Sequence, residues 1–167
     1  IVPGDFSSAS FIIVAAILAN NSEVLIRNVG LNKTRSGLIK ILLLMGANIE
    51  IKNKKILSNE EVGDIVIKSS ALVGVNVPEK IIPNIIDEIP ILSIAAAFAK
   101  GKTTIKNAAE LRVKESDRLN AISKGLSKLR VIHKMSNDGI SIIGTKDEIE
   151  CNDCIDSFDD HRIAMSF

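Results

Sequence analysis

The sequence of 167 residues has neither tryptophan nor tyrosine, and aromatic residues make up only 3% of it. Proteins that bind single-stranded nucleic acid need aromatic side chains on which bases stack, so this composition argues against a nucleic-acid partner. The net charge is only +1, because 21 lysine and arginine residues face 20 aspartate and glutamate residues. The whole molecule therefore generates no field that favours nucleic acid or membranes, and any anion must be bound by a local cluster of cations.

Long apolar runs and metal ligands are scarce as well. The longest apolar run begins at residue 11 and is closed by Asn20, well below the length of about 18 residues that a membrane span needs. Cys151 and Cys154 form one C-x-x-C motif, but a zinc site would need a second pair of ligands, and the sequence has only two histidines. We expect two free thiols, no metal ion, no membrane association and a cytoplasmic location.

An internal repeat organises the sequence. Asp5 leads into an apolar helix, which is followed by a strand, a polar loop, an amphipathic helix and a second strand. The same order returns after Asp87, with Gly101 predicted to end the first helix of this second unit. The first strands of the two units contain the related triplets Ile-Arg-Asn (residues 26–28) and Ile-Lys-Asn (residues 105–107).

A third unit opens at Asp159 and stops at Phe167, within the first turns of its helix. That helix would need a partner face and a following strand, which the sequence does not contain, and the sequence also starts without methionine. We therefore predict an α/β fold with mixed sheets, built from an incomplete set of repeated units, in a segment of a longer protein.

The densest group of charged residues is ELRVKESDR at residues 110–118. If a helix begins near Lys114, then Lys114 and Arg118 lie on the same face, where they could bind an oxyanion. Glu115 would stand at the rim of that face and could carry protons. Taken alone, such a run of charges is typical of a solvated helix start.

Several motifs together make the chain resemble the 5-enolpyruvylshikimate-3-phosphate synthases. They are VPGDFSSASF at residues 2–11, IDEIP at residues 86–90 with the charged segment at residues 110–118, and DHRIAM at residues 160–165. A weaker motif, VGLNKTRSG at residues 29–37, has Lys33 where we expect proline in the family. Such motifs are more specific in combination than any one of them alone.

The resemblance implies both an activity and an architecture. Members of the family transfer the enolpyruvyl group of phosphoenolpyruvate to the 5-hydroxyl of shikimate 3-phosphate and release phosphate. Their fold has two lobes, each built from three βαβαββ units. By the resemblance, residues 1–50 would form the last unit of one lobe and residues 51–167 part of the other. The parent protein is expected to be a monomer, and this segment alone is expected to be inactive and to expose apolar surface.

The resemblance also assigns the acid–base chemistry and the contacts to shikimate 3-phosphate. Asp87 would accept the proton of the attacking hydroxyl, and Glu115 would act as general acid and base at the methylene carbon. Lys114, Asp87, Ser7 and Ser8 would contact shikimate 3-phosphate. From the sequence alone, Asp87 and the two serines could equally serve as caps of the helices that follow them.

Phosphoenolpyruvate would be held by three neighbouring cationic or hydrogen-bonding side chains. Arg118 and Arg162 would grip its carboxylate or phosphate through planar guanidinium groups. His161 would add a hydrogen-bond donor, although a histidine in such a loop is by itself more often a surface residue. Arg27 and Arg35 are predicted to lie on strand and loop surfaces outside the site.

Two alternatives share part of this pattern. The enolpyruvyl transferase that acts on UDP-N-acetylglucosamine has the same fold, but residues 113–118 fit the shikimate enzyme better. A non-catalytic module that binds phosphate or sugar phosphate would use Lys114, Arg118 and Arg162, and the carboxylates of Asp87 and Glu115 would weaken its hold on an anion. No glycine-rich nucleotide loop is present, so we expect no cofactor.

Overall fold

Two units of the same design make up most of the structure, a computed structural model that describes residues 2–145, 149, 151 and 153–167. The first unit contains α1 (Phe6–Leu18), β1 (Glu23–Gly30), α2 (Gly37–Leu44), β2 (Asn48–Leu57) and β3 (Glu60–Lys68). The second contains α3 (Ile89–Ala97), β4 (Gly101–Ile105), α4 (Arg118–Lys128), β5 (Ile132–Met135) and β6 (Ile140–Gly144), and α5 (His161–Ser166) follows it. Short 3-10 helices at Glu79–Asn84, Ile86–Glu88 and Ala109–Val113 lie in the connections.

Each unit forms a three-stranded antiparallel sheet, and the strand order is the same in both. The orders are β1-β3-β2 and β4-β6-β5, with the last strand of each unit in the centre. The chain ahead of each unit adds a parallel bridge, from Gly4 to Val29 of β1 and from Asn76 to Thr104 of β4. The predicted repeat and the predicted α/β class with mixed sheets are therefore confirmed.

The related triplets of the two units end in asparagines that have the same conformation. Asn28 and Asn107 both have left-handed backbones, with φ of 53° and 56°, a region that asparagine tolerates better than most residues. The backbone N–H of Asn28 donates to Asp64 at 2.8 Å, and that of Asn107 donates to Asp138 at 3.3 Å. The two triplets thus share one structural feature, a left-handed asparagine whose backbone N–H donates to an aspartate.

The helices fall into two classes according to their surroundings. All residues of α3 are buried and most of α1 is buried, which explains why both helices are apolar on nearly every side. The other type is amphipathic: α4 buries Leu119, Ile122 and Leu126 on one face and carries its lysines on the other. Among the helices of the described residues, none is long and apolar enough to cross a bilayer.

A hydrophobic core joins the two units. It includes Ile13 of α1, Ile41 of α2, Ile89 of α3, Ile122 of α4 and Ile163 of α5, all fully buried. The predicted lobe boundary near residue 50 falls within β2, and this division of the chain stays a prediction.

One local expectation was wrong, the helix end at Gly101. α3 ends at Ala97, and Gly101 instead opens β4 with φ of 100°. A single glycine was too short a signal to locate the end of the helix.

We predict that Gly139→Ala destabilises the protein, because the new Cβ would collide with the backbone carbonyl oxygen of Ile105. A clash with backbone cannot be relieved by a side-chain rotation, so we expect a loss of about 2 kcal/mol or more in the free energy of unfolding. Urea unfolding followed by circular dichroism measures it. Gly4→Ala is the matched control, since its Cβ would meet no atom closer than 3.5 Å. Equal stability of the two variants would contradict the prediction.

Candidate active site

Asp87 lies where three cationic side chains meet. It belongs to the 3-10 helix Ile86–Glu88, directly before α3. Its Oδ1 accepts a hydrogen bond from Nη1 of Arg118 at 3.0 Å and lies 3.8 Å from Nζ of Lys114. Its Oδ2 lies 3.8 Å from Nη2 of Arg162. The alternative role of Asp87 as a helix cap is not realised, because Glu88 occupies the position before α3 and no side chain caps that helix.

Arg118 is the most deeply buried charged residue of this group, with its side chain only 1% exposed. Its Nε donates to Oδ2 of Asp160 at 2.7 Å, and its Nη2 donates to Oε2 of Glu115 at 2.5 Å. With Asp87, three carboxylates therefore surround one guanidinium. A buried guanidinium needs such partners, because its removal from water is costly unless its charge and its N–H groups are matched.

Asp160 connects Arg118 to the start of α5. It accepts the backbone N–H of Arg162 at 2.9 Å as the N-cap of that helix, and it also accepts the hydroxyl of Ser116 at 3.1 Å. Burial by itself raises the pKa of Asp160, but the hydrogen bonds and charge of Arg118 and the backbone N–H of Arg162 outweigh burial, and the pKa lies below its ordinary value. The ion pair is therefore charged at neutral pH.

Lys114 and Glu115 lie in a loop, so the condition that a helix begins near Lys114 is not met. The 3-10 helix Ala109–Val113 comes first, and α4 begins only at Arg118, with Asp117 as its N-cap accepting the backbone N–H of Asn120 at 3.0 Å. Lys114 and Arg118 still converge on Asp87, but the loop conformation brings them together. A hydrogen bond from Lys114 to Glu110, 2.6 Å long, raises the lysine pKa.

Arg112 fixes this loop against the second sheet. Its Nε donates to the carbonyl oxygen of Asn137 and its Nη2 to that of Ser136, both at 2.8 Å. It also pairs with Asp117 at 2.9 Å. The loop that carries Lys114 and Glu115 is thus held by contacts with the turn between β5 and β6.

The other predicted site residues differ in their relation to this cluster. Ser7 is buried and donates to Oε1 of Glu88 at 2.6 Å. Ser8 is exposed, and both its hydroxyl and its backbone N–H are bound to Asp5, so in this structure it serves the cap of α1. His161 is exposed as the first residue of α5, and within the described part of the chain its ring makes no hydrogen bond or ion pair with the cluster.

The sequence analysis missed two residues beside the cluster. Glu88 is buried and receives Ser7 and Nη1 of Arg162, the latter at 3.2 Å. Arg35, which was placed outside the site, donates from Nη2 to the hydroxyl of Ser7 at 3.1 Å and to Asp5 at 3.2 Å. The adjacency of Glu88 to Asp87 was a signal for the first residue. The contact of Arg35 depends on tertiary structure.

Charge and chemistry single out this cluster, and cavity size does not. A cleft of about 550 Å³ lies away from the cluster, between α4 and residues 153–158, where an exposed pair joins Lys128 and Asp153. Cys151 and Cys154 are exposed free thiols. Residues 2–145, 149, 151 and 153–167 include no group of three or more potential ligands placed to hold a metal ion. The cluster around Asp87 combines carboxylates, which can move protons, with cations that suit an anionic substrate.

We predict that Asp160→Asn lowers the free energy of unfolding at pH 7 by about 3 kcal/mol, because the buried guanidinium of Arg118 loses the one counter-charge that is fully buried with it. The folded-state pKa of Asp160 is depressed, so its stabilisation is present at neutral pH and is lost as the pH falls through that pKa. In urea unfolding, the gap between the variant and the parent should therefore close in acid. Asp153→Asn, which removes an exposed ion pair, should change little. A pH-independent gap would contradict this account.

The chain is similar to known proteins over its whole length. The sequence matches the family model described as EPSP synthase (3-phosphoshikimate 1-carboxyvinyltransferase) over residues 1–167. The 3-phosphoshikimate 1-carboxyvinyltransferases of Petrotoga mobilis and Carboxydothermus hydrogenoformans are 56% and 51% identical to it, over 99% of this chain and 38% of each relative. A solved EPSP synthase from Acinetobacter baumannii superposes with a TM-score of 0.95 at 44% identity, again over 99% of this chain and 38% of that one.

The chain therefore spans 38% of the length of these relatives. Both the sequence motifs and the fold lead to the same assignment. The chain belongs to the EPSP synthase (3-phosphoshikimate 1-carboxyvinyltransferase) family.

Proposed function

We propose that the full-length protein transfers the enolpyruvyl group of phosphoenolpyruvate to the 5-hydroxyl of shikimate 3-phosphate and releases phosphate. Membership of the family and its similarity to enzymes of that name support this activity. The observation that carries the proposal is the arrangement of two partly exposed carboxylates, Asp87 and Glu115, on one buried guanidinium, that of Arg118. Acid–base groups held beside cations are what an addition–elimination between anionic reactants requires.

Asp87 and Glu115 take the proton-transfer roles in this proposal. Asp87 accepts the proton of the attacking 5-hydroxyl while the oxygen of that hydroxyl bonds to C2 of phosphoenolpyruvate. Glu115 protonates the methylene carbon and later removes a proton from it, as the C–O bond to phosphate breaks. The side chains of Asp87 and Glu115 are 39% and 55% exposed, which leaves both open to a substrate.

The cations divide between the two substrates. Lys114, with Ser7 and Ser8, serves shikimate 3-phosphate, and Arg118, Arg162 and His161 serve phosphoenolpyruvate. Since Arg118 is engaged by carboxylates on every side, it reaches a ligand only when one of them moves. A doubly charged phosphate competes well for the guanidinium, and its arrival would release Glu115 for proton transfer.

The proposal requires neither a cofactor nor a metal ion, because the reaction needs only an acid, a base and electrostatic stabilisation of developing charge. The protein is proposed to act as a monomer in the cytoplasm. By the family architecture, the site lies between the two lobes and needs cations from a part of the protein outside this segment, so the 167-residue segment alone is proposed to be inactive.

The decisive test is phosphate release by the full-length protein with phosphoenolpyruvate and one of two acceptors. We expect release with shikimate 3-phosphate and none with UDP-N-acetylglucosamine. Release only with the UDP-sugar would instead identify the related cell-wall enzyme. Binding of both substrates by a folded protein without any release would identify a non-catalytic sugar-phosphate module.

We predict that Asp87→Ala and Glu115→Gln each reduce turnover about 100-fold or more, the usual scale for the loss of a general acid or base. Steady-state phosphate release measures the effect. Glu23→Gln is the matched control for Glu115, because Glu23 is exposed, opens β1 and pairs with Lys68 at the far end of that strand. Turnover near that of the parent in either variant would remove the residue concerned from the mechanism.

A further inference from the structure

Glu88 is a buried carboxylate for which the proposed chemistry has no use. Its residue is only 4% exposed, although it neighbours the accessible Asp87. Its Oε1 accepts the hydroxyl of Ser7 at 2.6 Å and Nη1 of Arg162 at 3.2 Å. One oxygen atom therefore joins the first turns of α1 and α5 to the start of α3.

The charge of Glu88 is not favoured by its surroundings as a whole. Burial, the largest influence, raises the pKa of Glu88; the hydrogen bond from Ser7 and the charges of Arg162 and Arg35 oppose this, and the charge of Asp87 adds to it. The net pKa is raised, so the ionised carboxylate costs folding free energy at neutral pH. A side chain that only filled space at this position would not need a charge.

The contacts of Arg162 show what the carboxylate does. Its Nη1 is shared between Glu88 and the backbone carbonyl oxygen of Asp87, the latter at 3.3 Å. Its Nη2 faces the side chain of Asp87 at 3.8 Å, which is longer than a hydrogen bond. Nη1 thus anchors the guanidinium, while Nη2 is directed at the cluster and has no partner within hydrogen-bond distance among the described residues.

We propose that Glu88 is a positioning residue, which aims the guanidinium of Arg162 at the phosphate or carboxylate of the enolpyruvyl donor. The inference rests on the proposed function and deepens it. Glu88 itself touches no substrate. It acts through Arg162, and it ties that arginine to Ser7 and, through the Ser7 hydroxyl, to Arg35.

The test uses the full-length protein and the variant Glu88→Gln, which keeps the shape and an oxygen acceptor but removes the charge. We expect the KM for phosphoenolpyruvate to rise about 10-fold or more, because small displacements of a clamping group are costly. The KM for shikimate 3-phosphate should change less than about threefold, within the range of an indirect effect. The thermal unfolding temperature should stay the same or rise, because the variant removes an unfavourable buried charge.

Arg162→Lys supplies a double-mutant cycle. If Glu88 acts through Arg162, Glu88→Gln should add little to the KM of the Arg162→Lys variant. Glu79→Gln is the matched control, since Glu79 is exposed, precedes α3 and bonds only to Asn107 among the described residues. It should leave both KM values unchanged. Glu88→Asp, which keeps the charge but withdraws it by one methylene, should give an intermediate KM and covers the case in which Glu88→Gln does not fold.

Several outcomes would overturn the inference. A lower unfolding temperature with unchanged KM values would assign Glu88 a structural role, and so would independent effects of Glu88→Gln and Arg162→Lys on KM. Turnover by the parent protein tests the proposed function separately. If the parent turns over both substrates but the KM for phosphoenolpyruvate in Glu88→Gln and Glu88→Asp stays that of the parent, only the role of Glu88 is wrong. If the folded parent shows no turnover, both proposals fail.

Discussion

The buried guanidinium of Arg118 is the interaction on which the rest of the site depends. It joins Asp160 at the start of α5, Asp87 ahead of α3 and Glu115 in the loop before α4. Each of these carboxylates comes from a different sequence motif, and none of the motifs creates a site by itself. Because a buried charge requires matched partners, the burial of Arg118 couples three distant segments into one geometry. This coupling explains why the motifs are informative together and only suggestive apart.

The repeated scaffold provides the positions that this coupling uses. Since both units have the same strand order, α1 and α3 occupy corresponding places. Like α1, α5 begins with an aspartate as its N-cap. The first turns of these helices touch through Ser7, Glu88 and Arg162. Helix N-termini carry partial positive charge, so α1 and α3 add to the cationic character of the region. The scaffold thus concentrates polar groups at one end of buried, apolar helices.

The sequence predicted the elements and the composition of the cluster well, because repeat order, apolar periodicity and motif residues are local features. Lys114, Glu115, Arg118 and Arg162 do meet around Asp87. α4 begins at Arg118 and not near Lys114, because Arg112 donates to carbonyl oxygens 24 and 25 residues away and holds the preceding segment as a loop, which no local pattern reveals. Glu88 and Arg35 were missed for the same reason, since the contact between Ser7 and Glu88 joins residues 81 positions apart. Long-range hydrogen bonds therefore fix the loop before α4 and the contacts of Glu88, which local propensity does not determine.

Asp160 and Glu88 show how two buried carboxylates in one site acquire opposite characters. Asp160 accepts hydrogen bonds from the guanidinium of Arg118, the hydroxyl of Ser116 and the backbone N–H of Arg162, and these outweigh its burial and lower its pKa. Glu88 has the hydroxyl of Ser7 and one nitrogen of Arg162, and these do not outweigh its burial, so its pKa is raised. The charge of Asp160 therefore stabilises the fold, whereas that of Glu88 weakens it. That the fold tolerates such a cost next to the proposed acid–base pair accords with our proposal that Glu88 orients Arg162 at the expense of stability.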